Sequence, residues 1–199
     1  MTRDADDPRP APEYAESDRH LVETRISGQR VFDGALLDVR RDRVRLPDGA
    51  ESVREYIVHP GAVLIVPVLD DGSLVIERQF RYPLNRVFLE FPAGKLDPGE
   101  TPLATARREL IEEAGYTAAR FTELGEIHSV VSYTTEVITL YVAEGLTHVG
   151  RKLDDGEHLD IVTMSVAALF AALDRGELTD AKTIAALFLF DRRRRRVAP

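Results

Sequence analysis

The stretch Gly94-Lys-Leu-Asp-Pro-Gly99-Glu100-Thr101-Pro102-Leu103-Ala-Thr-Ala-Arg107-Arg108-Glu109-Leu110-Ile-Glu112-Glu113-Ala114-Gly115-Tyr116 reads as loop, helix and loop. Thr101 fits an N-cap, Pro102 the first helical turn, and Gly115 a position just past the C-terminus. At about 100° per residue, Glu113 falls about 40° to one side of Glu109 and Glu112 about 60° to the other. The three carboxylates therefore share one arc of roughly 100°. Leu103, Leu110 and Ala114 fall about 100–140° away, on a separate face that can pack on a sheet. Arg107 falls toward that apolar side, where its stem can snorkel.

Three clustered carboxylates repel one another. At about 4 Å a like-charge pair costs ~1 kcal/mol in water and ~4 kcal/mol at an effective dielectric near 20. Arg108, four residues before Glu112, offers one ion pair and cannot neutralise the whole group. The alternatives are a solvated acidic face or a divalent cation. Hard oxygen ligands without thiols or clustered histidines suit Mg²⁺ or Mn²⁺ better than zinc. Gly94 and Gly99 let the loop fold tightly against the helix start and bring Glu100 to the same place. Together these features favour the metal.

The rest of the chain frames that segment. Its 199 residues suit one domain of ordinary size with an extension, and 44% hydrophobic content is enough for a core. With 26 Lys+Arg against 34 Asp+Glu the formal charge is −8, which argues against a broad phosphate-backbone binder and makes a nucleic-acid partner unexpected. It does not exclude a small anionic substrate, because metal ions can supply positive charge. The absence of cysteine excludes disulfides, thiolate nucleophiles and Cys-based zinc sites. No apolar run opens the chain, and the longest apolar runs, near Ala62–Leu69 and Ile184–Phe190, are too short to span a bilayer. The expectation is a cytoplasmic protein with no membrane partner.

Residues 1–19, rich in Pro, Ala and acid, are expected to be a disordered tail. Residues 20–58 favour short strands punctuated by Asp33-Gly34 and Pro47-Asp48-Gly49, a small antiparallel β-subdomain. Residues 59–191 mix strands and helices. AVLIVPVL and SLVIERQF flank the hairpin signal Asp70-Asp71-Gly72, VFLEFP follows, and RFTELGEIHSVV, EVITLYVAEGL and LDIVTM are further strands. SVAALFAALDRGE and TDAKTIAALFLFDRR have helical spacing. This order predicts an α/β (α+β) fold, a three-layer α/β/α sandwich around a mixed sheet. Residues 192–199 form a basic C-terminal tail. Its Arg192–Arg196 run suits RNA or anionic lipid, or else is a solvated helix end whose cations oppose the helix dipole.

The quoted segment resembles the Nudix box, Gly-x5-Glu-x7-Arg-Glu-aliphatic-x-Glu-Glu-x-Gly-aliphatic. Every defined polar and glycine position matches, and Tyr116 replaces the final aliphatic residue. Arg54-Glu55-Tyr56, His59-Pro60-Gly61-Ala62-Val63, Glu77-Arg78-Gln79-Phe80-Arg81 and Glu90-Phe91-Pro92-Ala93-Gly94 resemble the ADP-ribose pyrophosphatase branch. The likeness extends over roughly residues 30–190. It implies a Nudix α/β/α sandwich, an N-terminal β-subdomain often exchanged across a homodimer, and cleavage of ADP-ribose to AMP and ribose 5-phosphate.

The resemblance also implies roles. Glu109 and Glu113 ligate Mg²⁺ (or Mn²⁺) with the Ala93 carbonyl, Glu112 binds or bridges a metal, and Arg108 orients the cluster. The general base comes from a downstream acidic loop, with Glu157 of Asp154-Asp155-Gly156-Glu157 first choice. Glu136 is second, as base or ribose ligand. Arg54, Arg81 and Glu90 match substrate-binding positions, and arginine's fork suits phosphate. For Arg54 a sheet-edge ion pair is the alternative. Phe32 either stacks on adenine or anchors the core, the second being the commoner use of such a residue. Val131 stands where ADP-ribose-cleaving members commonly carry proline. That leaves open other nucleoside diphosphate sugars such as GDP-mannose. A nucleotide-binding regulator without hydrolysis is a rival, but such proteins lose box carboxylates, and all are kept here. An RNA-processing relative using Arg192–Arg196 is the third reading.

Overall fold

A computed structural model of the chain describes residues 7–10, 13–153 and 155–197, with side chains to 196. The chain divides into two compact units, one running to Pro60 and including residues 130–136, the other holding 61–129 and the rest from Val137. Among the described residues no helix is long and apolar enough to cross a membrane.

The first unit is an antiparallel meander of β1 (Thr24–Asp33), β2 (Asp38–Arg45) and β3 (Glu51–Val58). Its turns fall where Gly and Asp predicted them. At Pro47-Asp48-Gly49, Gly49 takes φ +89° and the Asp48 carboxylate accepts from the Ala50 amide at 2.9 Å. Val44 and Asp42 are its buried side chains, and Asp42 accepts from Arg25 and from the Tyr56 hydroxyl. Residues 130–136 join this unit, with Ile57 bonded to Tyr133 and Thr135 through the backbone. The stretch read as an N-terminal tail ends in a 3-10 helix, Glu16–Leu21, and its residues 1–6, 11 and 12 lie outside the described ones.

The second unit is built on a seven-stranded mixed sheet. Its strands are β4 (Ala62–Val68), β5 (Leu74–Arg81), β6 (Arg86–Glu90), β7 (Ala93–Lys95), β8 (Tyr116–Ile127), β9 (Ile138–His148) and β10 (Leu159–Met164). Their order is β10-β5-β4-β9-β8, with β6 added to β5 and β7 to β4. Only the β4–β9 pairing is parallel.

Strand alternation sends consecutive residues to opposite faces. On one face Leu64, Val66, Leu74, Ile76, Leu140 and Val142 pack against α2 (Val166–Asp174) and α3 (Ala181–Val197). On the other, Val63, Ile65, Val75, Tyr141 and Ala143 pack against Ala106, Leu110 and Ala114 of α1 (Pro102–Glu112) and its end. The expected three layers are therefore present.

The caps act as the sequence predicts. Thr101 accepts from the Ala104 amide at 3.3 Å, and Gly115, at φ +77°, donates to Ile111 at 3.0 Å. Two local expectations change. Leu103 is exposed, and Ala106 takes its place on the packed face. The Arg192–Arg196 run continues as helix to Val197, and Asp191 holds Arg194 at 2.9 Å and Arg195 at 2.7 Å.

Candidate active site

The box residues converge where α1 meets β7 and β5. Glu109 and Glu113 are not on a solvated arc apart from the packing face. That arc continues the buried one, leaving Glu109 8% and Glu113 5% exposed. Gly94 explains how Glu109 fits. A Cβ on Gly94 would stand 1.7 Å from Glu109 Oε1 and 2.0 Å from its carboxyl carbon. Gly94 is thus required for space. Gly99 carries the bent backbone, at φ +86°.

Arg108 does more than the single ion pair expected of it. One terminal nitrogen donates to Glu109 at 2.8 Å and Glu112 at 2.9 Å. The other donates to Glu100 at 3.0 Å and the Lys95 carbonyl at 3.2 Å, and Nε donates to Glu100 at 3.1 Å. One guanidinium thus gathers three carboxylates, because its fork offers donors in several directions. Arg108 and Thr105 hold the Glu100 carboxyl down to about 2, and Glu100 in turn raises Arg108. Glu113 gets no arginine. It accepts the Ala93 amide, at 2.9 Å.

A fourth buried acid sits against this group. Glu77, on β5, is 2% exposed and within hydrogen-bond reach of Glu113. Burial raises both carboxyls, and their mutual proximity adds to it for Glu113. Burial also lifts Glu109, to about 7, against the pull of Arg108. Among the described residues no three acid or histidine side chains already stand together at metal-ligand spacing. The cluster is held by Arg108 and by the Ala93 amide.

This arrangement has a consequence for stability. Glu109 in the folded chain titrates near 7, against an ordinary 4.5. Between those values the folded state keeps a proton that the unfolded chain has lost, so rising pH favours unfolding. In EDTA, wild type should lose stability relative to Glu109→Gln from about pH 5 to pH 8, by up to about 3 kcal/mol. Mg²⁺ should restore more at the upper end. Thermal melts would show it, and a wild-type-minus-variant difference that is flat or rises with pH would refute it.

The other expected residues are placed as follows. Arg81 donates to both oxygens of Glu90, at 2.7 and 2.8 Å, and Lys182 also contacts Glu90. Glu90 is buried, and these partners overcome its desolvation to hold it below the usual carboxylate range. Glu90, expected at a substrate-binding position, is here paired with Arg81 and Lys182. Both its oxygens accept from Arg81, which stays half-exposed. Glu157 accepts from Gln79 at 3.4 Å and adds to the acidic field at Glu77, Glu109 and Glu113. Asp154 of the same loop lies outside the described residues.

Glu136, Arg54 and Phe32 lie in the unit of β1–β3. Glu136 stands 3.5 Å from His59. Arg54 donates to Glu23 at 2.9 Å, the ion pair named as its alternative. Phe32 is 56% exposed, so the core-anchor reading is overturned. It sits near the end of β1 opposite Val39. Arg107 lies 5.5 Å over the Phe121 ring, as a snorkelling stem permits.

Glu77, Gln79 and Lys182 were not singled out from the sequence. The available signal was in β5, where Glu77, Gln79 and Arg81 follow Val75 at every second residue. That is a polar row on a strand face whose start belongs to the core.

Comparison with known proteins finds the following relatives. The NUDIX domain family matches residues 58–187, and the Nucleoside diphosphate sugar hydrolase N-terminal domain matches residues 23–57. An ADP-ribose pyrophosphatase of Bacillus subtilis (strain 168) is 36% identical over 171 residues, covering 85% of this chain and 92% of that protein. An ADP-ribose pyrophosphatase of Mycobacterium tuberculosis is 38% identical over 170 residues, covering 83% and 81%. A crystal structure of an ADP compounds hydrolase superposes with a TM-score of 0.77 at 29% identity, covering 85% of this chain and 92% of that one.

Proposed function

We propose, from the premise that this chain belongs to the Nudix family and is one of its nucleoside diphosphate sugar pyrophosphatases, that its substrate is ADP-ribose, which water cleaves to AMP and ribose 5-phosphate. The observation that carries the reading is the pair of buried carboxyl groups in the box, Glu109 packed against Gly94 and held by Arg108, and Glu113 held by the Ala93 amide.

The family generally works with divalent metals, and the donor set here fits them. The donors are hard oxygens, one buried carboxyl oxygen of Glu77 lacks any hydrogen-bond partner, and Gly94 leaves room for nothing larger than hydrogen beside Glu109. Glu109, Glu112 and Glu113, with the Ala93 carbonyl, would hold Mg²⁺ or Mn²⁺. Such ions neutralise the diphosphate and make a bound water more acidic.

The chain's own residues supply the remainder. Arg108 fixes the direction of Glu109 and Glu112. Arg81, braced by Glu90, offers donors to a phosphate oxygen. Glu157, on a loop beside the cluster, takes a proton from the attacking water. That water's oxygen bonds to one phosphorus as the bond from this phosphorus to the bridging oxygen breaks, and the second phosphate leaves with the bridging oxygen.

Mg²⁺-dependent release of the nucleoside monophosphate is the test, AMP from ADP-ribose and GMP from GDP-mannose, measured on these and other nucleoside diphosphate sugars with wild type and Glu157→Gln. ADP-ribose should lead GDP-mannose in kcat/KM by at least about tenfold, a margin one lost set of base contacts supplies. Glu157→Gln should lower kcat more than it raises KM. Equal or better turnover of GDP-mannose would replace the substrate, and an unchanged rate in the variant would move the base elsewhere.

A further inference from the structure

Glu77 is costly where it stands. Its Oε1 is buried with no hydrogen-bond partner, the one such side-chain atom among the described residues. A buried polar atom left unpaired costs about 1–3 kcal/mol, and an apolar side chain would avoid that cost. Val75, two residues earlier on the same strand face, shows that the layer accepts one.

The neighbours of Glu77 narrow what its free oxygen is for. Across β5–β6 it is paired with Glu90, and across β5–β10 with Ile161. From α1 it meets Glu113, and Glu157 adds further negative charge. The cations nearby, Arg81 and Lys182, are both engaged by Glu90. The Glu77 carboxyl therefore sits among acids, and the cations that neighbour them are already paired with Glu90. The complement to that environment is a cation from solution, and hard oxygen donors select a divalent one.

We infer that Glu77 is a metal ligand of this chain, joining Glu113 on the sheet side of α1 to hold a divalent cation in addition to the ligands that α1 supplies. The inference rests on the pyrophosphatase reading above. It gives β5 a direct share in the centre, so a cation bound there ties the sheet to α1.

Mn²⁺ is the probe. Titrations followed by electron paramagnetic resonance and calorimetry would compare wild type, Glu77→Gln and Glu77→Leu near neutral pH. Either variant should lose one Mn²⁺ or weaken one site by at least about tenfold, the scale at which a lost supporting contact is felt in metal sites. Melting in EDTA controls for folding. Glu77→Leu should match or exceed wild type there, since it removes a buried unpaired oxygen, and it carries the test if the glutamine variant folds poorly. Unchanged number and affinity of sites in both variants would overturn the inference, leaving Glu77 a carboxyl that only shares a proton with Glu113. If that happens while wild type still releases AMP, the pyrophosphatase reading survives. Wild type that neither binds Mn²⁺ nor releases AMP would remove both.

Discussion

Glu113→Gln should lower kcat for ADP-ribose by about a thousandfold or more, while the fold stays intact. The substitution keeps the side chain's length and its acceptor for the Ala93 amide, now 2.9 Å from Glu113 Oε2. What it removes is the charge that, in the proposed site, would hold a divalent cation. A thousandfold loss corresponds to about 4 kcal/mol of barrier, a reasonable scale for one anionic ligand in a water-poor site. Stability should move the other way. Glu113 is 5% exposed and faces Glu77 and Glu109, so its neutral replacement relieves repulsion that the folded chain otherwise meets by retaining protons. Steady-state kinetics at saturating Mg²⁺, with melting in EDTA, would test both halves. A kcat within tenfold of wild type would take Glu113 off the ligand set.

Gly94→Ala should be nearly as damaging, by a different route. The added methyl would lie 1.7 Å from Glu109 Oε1, the oxygen that accepts from Arg108 at 2.8 Å. Glu109 must therefore swing away and leave Arg108, or β7 must part from α1. Overpacking of this kind costs about 1–3 kcal/mol. The displaced ligand should cost kcat/KM about a hundredfold, since small misplacements at reacting centres reach that size. Gly99→Ala supplies the contrast. At φ +86°, with nothing within 4 Å of the added atom, it should lower stability by about 1 kcal/mol through the backbone and leave kcat/KM nearly unchanged. Wild-type kcat/KM in Gly94→Ala would mean that Glu109 has another place to go.

Both predictions locate the same conflict. The best-packed side of α1 carries acids that desolvation penalises, and Arg108 relieves three of the four in the box while leaving Glu113 to an amide and to Glu77. An interior chosen for stability alone would hold apolar side chains there. That it does not is what marks the region as a working site.

Much of this was legible along the chain because its causes are local. Thr101, Pro102 and Gly115 set the ends of α1 through backbone chemistry within a few residues. The helical period alone brings Glu109, Glu112 and Glu113 onto one arc. Alternation in β4 and β5 announces a sheet covered on both faces, and Asp-Gly turns mark where its strands reverse. The matched box and the strand-rich N-terminal block carry the family with them.

Tertiary contact decided the rest. Whether the acidic arc faces water or the core depends on which way α1 rolls on the sheet, and the packing of Ala106 rather than Leu103 turns it inward. Gly94 looks like a flexible joint in sequence, but it is a gap cut for a side chain fifteen residues further on. Phe32 could not be assigned to core or surface until its strand had neighbours. Glu77 is an acid in an otherwise ordinary strand until folding brings Glu113 beside it. Periodicity and capping act between residues close along the chain, whereas desolvation and repulsion depend on whatever the fold places within a few ångströms.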